Sequence, residues 1–259
     1  MPNIQNHPDL WRDSLPVKKA DGYKYIYGAA IILGAPSMTG ASRLAAQSCA
    51  RMGAGLVTVL SVPESFDIYR TALGPHIICR NTLDYQDEHE KCRLYGPGGV
   101  PGSIDFNIQT PVVLDADALH KMPAALTDNF ILTPHEGEFA AIFPDINNVN
   151  KVDRAKAAAR KSGAHIVLKG SKTVIAAPDG RAPVLNEHAS PWLATGGTGD
   201  VLAGMITGLI AAGMPVFEGI CAAVWIHGEC GRRIGPGLVA EDIEKYIPRV
   251  LKDLIFNKI

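Results

Sequence analysis

The chain has 259 residues, 47% of them hydrophobic and 20% charged, with a formal net charge of −1. That composition suits a soluble globular protein with a sizeable core, and the near-neutral balance excludes the electrostatic footprint of a nucleic-acid binder. Five cysteines in no CxxC spacing argue for reduced thiols in the cytoplasm rather than a disulfide framework or zinc site, and the polar start MPNIQNHPDLWRD lacks the apolar core of a signal peptide.

Along the chain, 25–33 (YIYGAAIIL) reads as a buried strand and 34–40 as a turn-rich loop. A helix follows over 41–52, with Leu44, Ala45, Cys49 and Met52 on one face and Gly53 closing it. Strand character returns at 55–62 (GLVTVLSV). Residues 81–110 are polar and rich in turn formers, with at most a short strand before Tyr95, and read as a long loop. Strands follow at 111–114, running into Asp115 and Asp117, and at 130–132. A helix over 152–161 ends at Gly163. Strands at 165–169 and 173–177 come next, the second reversed at Asp179-Gly180 into 182–185. Helices over 199–212, 217–233 and 241–256 close the chain.

The run 201–217 carries no charge but is short for a membrane span of roughly 20 residues. Gly204, Gly208, Gly213 and Pro215 interrupt it, so it reads as a buried helix and no membrane partner is expected. Strand–helix alternation predicts an α/β fold: a mostly parallel sheet with helices on both faces and a short antiparallel hairpin. One domain over 1–259 is expected. Whether the apolar C-terminal helices are buried within the fold or join subunits in a homo-oligomer stays open.

The stretch TGGTGDVLAG, 195–204, crowds glycines around Asp200. Such a turn lets the backbone approach a ligand, and the first N–H groups of the following helix make an anion site suited to phosphate. Asp200 has two readings there, left even: a helix N-cap, or a base that takes a proton from a hydroxyl attacking phosphorus. No GxxxxGK[ST] occurs, so this is not a P-loop. Asp115 and Asp117, at i and i+2, suit Mg²⁺ held through water or cap a helix starting near Ala118; no direct metal ligand is assigned. His135 in TPHEGE follows a strand, with Pro134 and Gly137 expected to hold a tight turn at the strand's carboxyl end. Lys169 to Thr173 (KGSKT) joins two strands, where Gly170 permits close approach and Lys169 or Lys172 can neutralise phosphate charge.

GGTGDVLAG resembles the C-terminal signature of the ribokinase-like superfamily. Four further stretches in order, GAPSMTGASRLAAQSCARMGAGLVTV, VVLDADAL, LTPHEGEFAAIF and LKGSKTVIAAPDG, narrow the resemblance to the NAD(P)H-hydrate dehydratases over roughly 20–235. It implies a ribokinase-like fold in the stand-alone form without an epimerase domain. It also implies Asp200 as catalytic base, with Gly197, Thr198 and Gly199 as the anion hole. Ala41, Gly98, His135 and Asp200 are implied to bind the hydrated dinucleotide, NADHX or NADPHX. Lys169, Gly170, Ser171, Lys172, Thr173 and Gly199 are implied to bind the nucleotide, with ADP as donor rather than ATP, and Mg²⁺ as cofactor. The chain departs from the family at YGPGG, where Val100 replaces a glycine, and in a shortened segment after it. Two other readings remain: a small-molecule kinase of the same superfamily, such as a hydroxyethylthiazole kinase, and a nucleotide-binding regulator without catalysis.

Overall fold

Segments such as AAIIL, VVL and FIL form strands because both of their faces are covered, so every residue in them is buried. The computed structural model describes residues 3–146 and 150–257. Its strands are Ile4–Gln5 (β1), Ala29–Leu33 (β2), Leu56–Leu60 (β3), Ile78–Arg80 (β4), Glu90–Tyr95 (β5), Val112–Leu114 (β6), Phe130–Leu132 (β7), His165–Leu168 (β8), Thr173–Ala176 (β9) and Val184–Asn186 (β10). They join one sheet in the order β1-β10-β9-β8-β7-β6-β5-β2-β3-β4. Pairing is parallel except where β9 runs against β8 and β10; this is the mostly parallel sheet with a hairpin that the sequence predicts.

The helices are Thr39–Arg51 (α1), Pro63–Ala72 (α2), Glu136–Ile142 (α3), Lys151–Ser162 (α4), Thr198–Ala211 (α5), Val216–Ile234 (α6) and Ala240–Lys252 (α7). Alternate residues of one strand serve opposite faces. Ala30 and Ile32 join a core with α1, α2, α5, α6 and α7, whereas Ile31 and Leu33 join a core with α3 and α4. The run 201–217, read as a buried helix, is buried helix only as far as Ala211 in α5; Gly213 at φ +102° turns the chain and α6 begins at Val216. A Cβ on Gly204 would lie 2.1 Å from the Ala45 carbonyl oxygen, so α5 packs backbone-close to α1. Among the described residues no helix is long and apolar enough to cross a membrane.

Several expectations change. The strand read at 25–33 begins only at Ala29, because 24–27 forms a 3-10 turn that Gly28 ends at φ +62°. Within segment 81–110 the short strand allowed before Tyr95 is present as β5, and it lies mid-sheet, between β2 and β6. Near Ala118 the chain makes a 3-10 helix, Ala116–Lys121. The last predicted helix, 241–256, ends as α-helix at Lys252 and continues as a π turn.

Candidate active site

β2 and β5 are neighbours, yet the chain continues from β2 to β3 and β4 on one side and from β5 to β6, β7 and β8 on the other. A ligand crevice forms outside the carboxyl ends of strands at such a switch point. From β2 the chain runs through Ala35 into α1, and from β5 through Gly96–Gly99. These two turns touch. Gly98 has φ +79°, and a Cβ there would lie 2.3 Å from the Met38 carbonyl oxygen and 3.0 Å from the Ala41 Cβ. The buried Ser42 hydroxyl locks them, donating to the Pro97 carbonyl at 2.7 Å and accepting from the Ala35 N–H at 2.9 Å. Ala41 and Gly98, expected as one site from separate motifs, therefore meet. Val100, where the chain departs from the family pattern, packs against the core that holds Val112 and Leu114 of β6.

Asp115, His135 and Lys169 follow β6, β7 and β8 at the same edge of the sheet. Asp115 is 2% exposed; its Oδ1 accepts from the Thr133 hydroxyl at 2.6 Å and from Lys169 Nζ at 2.9 Å. The next residue, Ala116, has φ +46°, a strained conformation for a residue with a Cβ and one that recurs at functional sites. Glu138 stands 3.9 Å from the same ammonium. Burial opposes the charge on Lys169, but Asp115, Glu138 and Asp200 outweigh it and hold the ammonium ionised above its ordinary range.

Asp200 lies in the first turn of α5 and is not its N-cap. The N-cap is Gly197 at φ +89°, and no side chain caps the helix. Any Cβ on Gly197 would lie 2.6 Å from Leu44 Cδ1. Thr198 turns its hydroxyl back onto the Leu193 and Thr195 carbonyls. The first-turn N–H groups, around Gly197, Thr198 and Gly199, are thus left for a ligand. His227 of α6 fixes this turn from behind, its Nε2 3.0 Å from the Thr198 carbonyl oxygen. Burial pushes His227 down to about 4, so at neutral pH the ring is uncharged and Nε2 carries the donated hydrogen. Asp200 is pushed up to about 6, first by burial and then by the Asp115 carboxylate, against the lowering effect of Lys169.

TPHEGE begins a helix rather than a tight turn. His135 caps α3: Nδ1 accepts from the Gly137 and Glu138 N–H groups, and Glu138 accepts from the His135 N–H at 2.7 Å. With Nδ1 an acceptor, Nε2 is the ring nitrogen that can donate, and it stands 3.6 Å from Glu138 Oε1. KGSKT is tied to this turn by Lys169 N–H on the Pro134 carbonyl at 2.8 Å. Lys151 joins them, donating to the Lys169 carbonyl at 2.9 Å and pairing with Glu136 at 3.1 Å. Thr173 donates to the Gly170 carbonyl, and Ser171 is exposed. Lys172 pairs with Glu187 at 2.5 Å and is largely exposed, so only Lys169 of the two lysines enters the carboxylate cluster. Asp115 and Asp117 diverge, the first buried and the second exposed beside Gly99. Among the described residues no three His, Cys, Asp or Glu side chains are grouped to hold a metal ion. A cavity of about 600 Å³ between 83–110 and the sheet contains none of the expected site residues.

Sequence reasoning about the site did not reach His227 or Lys151. The one is a lone histidine in an apolar helix, the other one lysine among several at a helix start.

A family model described as NAD(P)H-hydrate dehydratase matches residues 29–98 and 102–249, breaking where Val100 departs. A bifunctional NAD(P)H-hydrate repair enzyme of Methanopyrus kandleri is 32% identical over 95% of this chain and 52% of its own; the chain spans about half the length of such bifunctional relatives. An ADP-dependent (S)-NAD(P)H-hydrate dehydratase of Neisseria meningitidis is 34% identical, over 86% of this chain and 84% of its own. The ADP/ATP-dependent NAD(P)H-hydrate dehydratase of Bacillus subtilis, co-crystallised with ATP/Mg²⁺, superposes with a TM-score of 0.85 at 30% identity, covering 98% and 99% of the two chains. With the glycine turn, TPHEGE and KGSKT meeting beyond the carboxyl ends of the parallel strands on that shared fold, the chain belongs to the NAD(P)H-hydrate dehydratase family.

Proposed function

We propose that this chain dehydrates hydrated NADH and NADPH in the cytoplasm, at the expense of ADP. Asp200 carries the reading: a carboxylate at the uncapped start of α5, held near neutrality, is placed and tuned to accept a proton. In the first step the substrate's ring hydroxyl gives its proton to Asp200, and its oxygen bonds to the terminal phosphorus while the bond to AMP breaks. The N–H groups from Gly197 to Gly199 receive the charge that develops on the phosphoryl oxygens, and Lys169, over Gly199, balances it. Phosphate and a ring proton then leave, restoring the reduced nicotinamide. Hydroxide is a poor leaving group and phosphate a good one, which is why a phosphoanhydride is consumed.

Ala41 and Gly98 form the substrate wall that only small residues permit, and His135 Nε2–H is the donor facing the ring's polar groups. Lys169 to Thr173 and Gly199 bind the nucleotide, Ser171 and Thr173 through hydroxyls, with Lys172 at the solvent side. Asp115, Glu138 and Asp200 outnumber Lys169, a charge balance that fits a divalent cation; these carboxylates would hold Mg²⁺ through water, and it would neutralise phosphate charge.

The test mixes protein and hydrated NADH with Mg²⁺ and ADP, ATP or neither, and follows absorbance of the reduced nicotinamide. ADP-dependent recovery with phosphate release is expected, abolished in Asp200→Asn while nucleotide binding persists. Transfer of phosphate to another alcohol without recovery would instead make the protein a small-molecule kinase.

A further inference from the structure

Where α1 meets α7, Arg43 is left without a role by the reaction above. Its Nε is buried and has no hydrogen-bond partner, a state that costs free energy until an acceptor arrives. The side chain lines a recess of about 300 Å³ with Gly40, Leu44 and Gln47 of α1 and Val239–Glu241 at the start of α7. This recess adjoins the catalytic turn. Leu44 and Ala240, two of its walls, are the side chains that close on Gly197, 2.6 and 3.0 Å from where a Cβ would stand. Gly40 precedes Ala41, and a Cβ on it would meet nothing within 4 Å, so the recess is open at that end. Gly199, by contrast, faces Lys169 and the KGSKT turn, with 3.5 Å between Lys169 Nζ and a Cβ position. The glycine turn thus has a nucleotide side and an Arg43 side.

The electrostatics of the recess favour an anion. No side chain caps α1, so the positive end of its dipole is uncovered there. The carboxylate of the recess, Glu241, is 65% exposed and drawn toward Lys245 at 3.8 Å.

We propose that this recess holds a phosphate group of the dinucleotide substrate, remote from the reacting ring, and that Arg43 recognises it. The inference rests on the dehydratase reading for its ligand. Two sources offer that chemistry: the diphosphate bridge that both hydrated dinucleotides carry, and the 2′-phosphate of the NADP form alone.

Arg43→Met keeps the apolar stem and removes the cation, and Glu241→Gln removes the opposing charge. KM and kcat are measured with hydrated NADH and hydrated NADPH. Binding of NADH and NADPH themselves is measured by titration calorimetry, which needs no turnover. Loss of a charge-assisted hydrogen bond predicts about a tenfold rise or more in KM and dissociation constant for Arg43→Met, the loss falling on KM far more than on kcat. Confined to the NADP forms, it identifies the 2′-phosphate; equal for both forms, it identifies the diphosphate. Glu241→Gln is expected to tighten the same ligand, and Arg43→Lys to recover part of the loss. Arg43→Met indistinguishable from the parent in KM and in binding overturns the inference while the dehydratase reading stands. Arg43-dependent binding of NADPH by a protein that restores no hydrated dinucleotide sinks the dehydratase reading and keeps the recess.

Discussion

Replacing Asp200 by Asn should make the protein more stable as well as inactive. Asp200 is pushed from 3.8 up to about 6 in the folded chain, so folding disfavours its ionised form. The sign follows from proton linkage: between those two values the folded state binds more protons than the unfolded one, so stability rises as pH falls through that window. The ionised carboxylate therefore costs most above pH 6, and nothing below 3.8. Raising the carboxyl from 3.8 to about 6 is worth about 3 kcal/mol, and partial solvent screening of this half-buried group reduces the expected gain to about 1–3 kcal/mol. For a chain of this size that is a rise in melting temperature of roughly 2–10 °C. Thermal unfolding of parent and Asp200→Asn at pH 8 and pH 5 measures it, and the gap should narrow to about half at the lower pH. An Asn variant equal to or less stable than the parent at pH 8 would refute the claim that burial and the Asp115 charge load the base.

The same shift predicts that kcat/KM has an acid limb near pH 6, about tenfold lower at pH 5 than at pH 7. Lys169→Met, which removes the cation holding Asp200 down, should move that limb to higher pH; a limb near 4 in the parent would refute the raised titration of Asp200, and an acid limb that persists in Asp200→Asn would exclude it as the base. His227→Phe keeps a ring in the core but removes the donor to the Thr198 carbonyl, for a loss of about 1–3 kcal/mol in chemical denaturation. Its stability at neutral pH should fall while its loss between pH 6.5 and 4 shrinks, because the unfolded chain no longer gains a proton there that the buried ring refuses. Gly98→Ala sets a Cβ 2.3 Å from the Met38 carbonyl at a left-handed φ, and is expected to cost about 1–3 kcal/mol and raise the KM for the hydrated dinucleotide more than that for ADP.

The strands that could be read were those buried on both faces, where β6 and β7 stand as short unbroken apolar runs and β8 as one behind His165. β5, legible only as at most a short strand inside a loop, shows why others were harder. In EKCRLY the register shifts after Glu90, so Glu90 can reach the buried Arg93 with two hydrogen bonds of 2.7 Å, while Cys92 and Leu94 on the face opposite Arg93 are fully buried. A mid-sheet strand carrying its own ion pair has the composition of a loop. Ile4–Gln5 and Ile78–Arg80 are two and three residues long, too short for any period, and exist because the sheet edges offer them partners. α3 is seven residues and hides behind a histidine cap that reads as a turn.

At the site, the contrast between motif and network has the same physical origin. The glycine turn was legible because its chemistry is local: positive φ at Gly197 and an uncapped helix start are properties of five consecutive residues. The tuning of Asp200 is not local. It comes from Asp115, Glu138 and Lys169, which stand after three different strands, and their signs alone do not say whether the aspartate is acidified or made a base. Only the sheet order places them together, and only burial decides the balance: the ammonium that touches Asp115 at 2.9 Å is neutralised by it, so Asp200 feels the low dielectric more than it feels Lys169. A lysine beside an aspartate normally lowers its pKa. Here a second, better-placed carboxylate takes the lysine, and the base is left poised where a proton can come and go.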